Sequence, residues 1–88
     1  MSKNEILLIL NWRSIVGEEI AKCTRPKKIS YAQNINSGML HLAVINGSKA
    51  LEMQHMISFI VEKITVFFGY KAVYNIKITQ ESIDFFMI

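Results

Sequence analysis

One cysteine, one proline, one tryptophan and four glycines are all that 88 residues contain of these types. A single cysteine, Cys23, excludes an internal disulfide and fits a reducing compartment, so a cytoplasmic location is expected. No apolar run approaches the ~18 residues of a membrane span. Glu5 precedes the first apolar run and no small-residue cleavage site follows, so the N-terminus does not read as a signal peptide. Repeats, low-complexity segments and linkers are absent too, and residues 1–88 read as one domain. At 51% hydrophobic the chain is too apolar to be disordered. A domain this small buries only about 60–65% of its unfolded surface.

The residues needed for catalysis are equally sparse. His41 and His55 lack the paired spacing of a metal motif. Cys23 has no activating base near it in sequence. Glu18 and Glu19 are adjacent, so on a helix they diverge and cannot face one another as an acid/base pair. No phosphate-binding glycine pattern of the P-loop or dinucleotide type occurs. The expectation is a binding module rather than an enzyme, with no cofactor, metal or small-molecule substrate.

What is present is unevenly placed charge. The net charge of +3 belongs to residues 1–35, while the remainder balances to zero, and four bases fall within residues 22–28. Lys22, Arg25, Lys27 and Lys28, with Lys49 further on, form the footprint of a polyanion contact or a solvated basic turn.

Periodicity orders the elements. "SKNE" has the form of a capping box, with Ser2 as N-cap and Glu5 reaching back. Ile6, Ile9, Val16 and Ile20 fall at helical spacing, which predicts a first helix over 3–23, ended by Pro26. Gly17 interrupts it at a propensity cost of about 1 kcal/mol; close packing of the helix is the expected reason. Trp12 is either a core anchor or a half-exposed contact. "KKISYAQNI" alternates with Ile29, Tyr31 and Ile35 on one side, "NSG" turns, and "MLHLAVI" alternates through Leu40, Leu42 and Val44: a hairpin. Ser48 caps a second helix over 49–68, closed by Gly69. "AVYNIKIT" is a third strand with Tyr74, Ile76 and Ile78 inward, and residues 81–88 form an apolar tail. The order α-β-β-α-β predicts a two-layer α+β domain, three strands with two helices on one face.

That order and the basic turn suggest a KH-like nucleic-acid module. A KH domain clamps backbone with a G-x-x-G loop, and "GSKA" at 47–50 has only the first glycine. The predicted outward sheet face (Ser30, Ala32, Asn34, His41, Val73, Asn75, Lys77) lacks rings for base stacking. Phosphate contact through Lys22, Arg25, Lys27, Lys28 and Lys49, independent of sequence and salt-sensitive, is what remains. Leu51, Phe59 and Val66, with Phe85 and Phe86, exceed what one apolar stripe needs and suggest either cover by the tail or a protein-partner surface.

"WRSIVGEEIAKCTRPKKI" resembles the opening signature of the DciA family, through Trp12, Val16, Gly17, Ile20, Ala21, Thr24 and Pro26. "GMLHL" at 38–42, "EM" at 52–53 and "VYNIKI" at 73–78 follow in register. Cys23 stands where His is frequent, and Lys49 near where a second Trp is frequent. The resemblance implies a KH-like bacterial replication factor, without an ATPase of its own, that binds the hexameric replicative helicase DnaB and promotes its loading on single-stranded DNA. On that reading the helicase is gripped near Trp12 and Arg13, or along the second helix at Phe59. The alternative reading is a small KH-like RNA-binding protein with no helicase partner.

Overall fold

Ser2 and Glu5 open the fold as their spacing predicts. The Ser2 hydroxyl accepts from the Glu5 N–H, and Glu5 Oε1 accepts from the Ser2 N–H at 2.7 Å. This capping box starts helix α1 (Lys3–Leu10). The computed structural model describes residues 2–32, 36–82 and 86. Asn34, Ile35, Phe85 and most of the apolar tail lie outside the described residues.

The single predicted first helix is three: α1, α2 (Trp12–Val16) and α3 (Glu18–Ala21). At the first break Asn11 turns its side-chain amide back onto the Leu7 carbonyl at 2.8 Å, a local bond of the kind that competes with helix continuation. At the second, Gly17 adopts φ 92°, ψ 163°, a region essentially reserved for glycine. A Cβ there would meet nothing within 4 Å. Close packing is therefore not why residue 17 is glycine; the backbone turn is.

After Lys22 and Cys23 the chain enters β1 (Thr24–Tyr31). Pro26 thus lies inside a strand instead of ending a helix. It is tolerated because β1 is an edge strand in the order β1-β2-β3, where a missing donor breaks no obligatory ladder. The outward N–H of Ile29 on that edge donates to Glu5 Oε2 at 2.8 Å, so α1 also shields the strand edge.

Strand β2 (Gly38–Val44) pairs antiparallel with β1 and parallel with β3 (Val73–Gln80). Between them, α4 (Gly47–Gln54) and α5 (Ile57–Phe68) replace the single predicted second helix. Asn46, not Ser48, caps α4 by accepting from the Lys49 N–H at 2.9 Å. Gly69 ends α5 in the left-handed conformation expected of it.

Leu40, Leu42 and Val44 are fully buried and share one core with Leu8, Trp12, Ile20, Ile60 and Ile64. This is the predicted two-layer α+β arrangement, with five helical segments among the described residues where two were expected. The third strand departs from simple alternation. Gly38 pairs with Val73 but Met39 pairs with Asn75, so Tyr74 is an extra residue and the bulge resets the facing. Val73, expected outward, is buried, and Tyr74, expected inward, is exposed. Tyr31, at the end of β1, is exposed as well.

Ser30, His41, Asn75 and Lys77 do lie on accessible surface as expected. Strand pairing sets Lys28 opposite His41, and His41 opposite Lys77. One line of side chains therefore crosses all three strands. No helix among the described residues is long and apolar enough to cross a membrane.

Candidate functional site

The basic stretch begins where α3 hands over to β1, and Trp12 holds that corner. Its indole is only 4% exposed and donates to Thr24 Oγ1 at 3.0 Å. With its donor satisfied internally and little of its ring accessible, Trp12 is a core anchor of this corner whose edge lines a surface cleft with Arg13 and Arg25.

The five bases expected to contact nucleic acid are differently engaged. Lys22 pairs with Glu19 at 3.1 Å and Lys49 with Glu52 at 3.2 Å. Both belong to the helical layer, where Lys49 lies near enough to feel Cys23 and Glu19, so the surface there carries mixed charge. Arg25 donates to the carbonyls of Ala21 and Thr24 at 2.7 and 2.8 Å, and its guanidinium sits 5.3 Å from the Phe86 ring centre. Lys27 Nζ lies 2.6 Å from Glu81 Oε1, both side chains partly buried. Lys28 is the exception. The register shift between Pro26 and Lys28 places it opposite His41, and it has no ion pair among the described residues.

His41 and Lys77 are the positions that a reading along the chain could not join to Lys28. His41 Nε2 is hydrogen-bonded to Ser30 Oγ at 2.7 Å. Burial, and then Lys28, Lys77 and Lys27, hold its imidazole below the usual histidine range, so it is neutral at pH 7. Alternation alone placed His41 and Lys77 on the outward face; their alignment with Lys28 depends on the bulge in β1.

The surfaces considered for a protein partner also separate. Arg13 pairs with Glu18 at 3.1 Å across the Gly17 break. It lines a cleft of about 210 Å³ with Leu10, Ala21, Arg25 and Pro26, so it adjoins the basic corner. Phe59 is on α5, 46% exposed, with Val66 75% exposed on the same helix; Lys63 Nζ sits 5.3 Å from the Phe59 ring centre. Phe59, Glu62, Lys63 and Val66 together line a shallow cleft. Of the surplus apolar residues named from sequence, Leu51, Phe59 and Val66 are exposed.

Cys23 is buried, with its sulfur 3.6 Å from the Ile20 carbonyl oxygen. Burial pushes its thiol above the usual range, which keeps it protonated and unreactive. His55 is exposed at the end of α4.

A family model described as "Dna[CI] antecedent, DciA" matches residues 2–78 of the chain. No curated protein matches it.

Proposed function

The chain belongs to the DciA family, which gives it a DnaB-associated role in DNA replication, and on that premise we propose that it binds the hexameric helicase and promotes its loading on single-stranded DNA. Family membership carries the reading, and the division of the surface supports it. Exposed apolar side chains lie on α5, at Phe59, Val66 and Phe67, and on α1, at Ile6, Ile9 and Leu10, whereas on the sheet Lys28 carries a positive charge with no ion pair among the described residues. One surface grips the helicase while the other holds the strand nearby.

A protein that binds the open ring better than the closed one shifts the ring towards opening without hydrolysing nucleotide. The DNA contact is to phosphate, centred on Lys28 with Arg25 and Lys27, and so is independent of sequence and weakened by salt. Lys22 and Lys49, each held by an acid three residues away, contribute less. Work at the replication fork places the protein in the cytoplasm. The KH-like description rests on the element order; Gly47-Ser48-Lys49-Ala50, the first turn of α4, lacks the second glycine of a KH clamp.

The test is biolayer interferometry against immobilised DnaB from the same organism, without DNA. Saturable micromolar or tighter binding, lost in Phe59→Asp and Val66→Asp variants that still fold, is the expected result. Absence of binding by the folded wild-type protein would overturn the loader reading.

A further inference from the structure

We propose that the row Lys28–His41–Lys77, on the sheet face turned away from the helices, is a seat for the phosphate backbone of single-stranded nucleic acid. The proposal rests on the nucleic-acid contact argued above. It replaces a linear basic stretch with a surface built by strand pairing.

The row is set by register: Lys28 opposite His41 and His41 opposite Lys77. With neighbouring strands ~4.8 Å apart, it spans roughly 10 Å. Lys28 shares the open face with Ser30, because the two flank the buried Ile29; the Ser30–His41 hydrogen bond places His41 there too. Neither Lys28 nor Lys77 has an ion pair among the described residues.

Lys28 and Lys77 stand on either side of His41, two positive charges roughly 10 Å apart. The groups acting on His41 are Lys27 and Lys28 from β1 and Lys77 from β3, with no carboxylate among them. A phosphodiester supplies the missing negative charge. Burial is the first cause of the lowered imidazole pKa and the lysines come after it; a phosphodiester offsets the lysine part, which favours the protonated ring in the complex. Ser30, Met39 and Asn75 flank the row and carry no ring. These three flanking residues offer bases no stacking platform, and the contact follows the backbone.

The experiment is fluorescence anisotropy of labelled oligo(dT) against the full chain over a salt series, with thermal melts to show that each variant folds. Lys77→Gln is expected to weaken binding and to make the slope of log K against log salt shallower by about 0.7, the value for one single-strand phosphate contact. Lys63→Gln, on α5, leaves both unchanged. Wild-type affinity rises several-fold between about pH 8 and pH 6, and His41→Gln removes that rise. The double variant Lys28→Gln/Lys77→Gln melts no lower than wild type, because neither lysine holds an ion pair among the described residues. If Lys28→Gln weakens binding while Lys77→Gln and His41→Gln behave as wild type, the row is overturned and the basic-stretch contact stands. If the wild-type protein fails to bind oligo(dT) at low salt, both fall together.

Discussion

The indole N–H of Trp12 donates to Thr24 Oγ1, and that hydroxyl donates on to the Ile20 carbonyl at 2.7 Å. One buried threonine thus joins α2, the last turn of α3 and the first residue of β1. Arg25 completes the corner by donating to the Ala21 carbonyl. The open carbonyls at the end of α3 are met by the N–H groups of Lys22 and Cys23 and by side chains of the following strand, as a helix end requires. Thr24→Val leaves the buried Trp12 donor unpaired and takes the hydroxyl away from the Ile20 carbonyl, which lowers stability by about 1–3 kcal/mol. Urea unfolding measures this. Trp12→Phe loses stability in the same way but, if folded, keeps its affinity for DnaB, because the ring is internal; selective loss of helicase binding would contradict that placement.

Two glycines separate backbone demand from steric demand. Gly17→Ala has room for its methyl group but must hold φ near 92°, at a cost of about 1–3 kcal/mol. Gly38→Ala has an ordinary backbone, but its Cβ would overlap Ile29 Cγ2 and press on the Ser30 carbonyl. It is expected to lose about 1–3 kcal/mol through displacement of β1 against β2. Hydrogen exchange distinguishes them: Gly38→Ala raises exchange in the β1–β2 ladder, and Gly17→Ala raises it first in α2 and α3.

Acid should destabilise the fold in two stages. Hydrogen bonds from the Ser2 and Ile29 N–H groups hold the Glu5 carboxyl below its ordinary range. A lowered carboxylate pKa contributes stability above the unfolded value near 4.5 that is lost as pH falls through the folded value. His41 is also lowered, so the unfolded chain takes up its proton first, and stability falls as pH drops below about 6.5. Glu5→Gln is expected to lower stability at pH 7 and flatten the lower stage; His41→Gln flattens the upper one. Denaturation midpoints across pH measure both.

If Lys27 takes part in the proposed phosphate contact, Glu81 competes for it through the 2.6 Å ion pair between them. Glu81→Gln removes that anion and is expected to raise oligo(dT) affinity and steepen the salt slope by up to about 0.7. An unchanged slope would mean that Lys27 takes no part in the contact.

Much of the architecture was legible along the chain because it depends on local pattern. The Ser2–Glu5 box, the alternation of Leu40, Leu42 and Val44, and the closing Gly69 each act within a few residues. Helix length was less legible. Asn11 and Gly17 break the first segment and His55 and Met56 the second, although the apolar spacing runs on through them. The Tyr74 bulge reversed the expected facing of Val73 and Tyr74, since one extra residue shifts a period-two pattern by half a cycle.

By itself, then, the sequence determined the α+β layering, the order of elements and the family, all of which follow from near-neighbour spacing or matched residues. Only the tertiary structure decided which charges act together. It tied Lys22 and Lys49 to their own helices, buried Trp12 against Thr24, and aligned Lys28, His41 and Lys77 from three strands. Such alignment depends on register between segments distant in sequence, where one bulge changes every pairing beyond it, and no reading of adjacent residues contains that information.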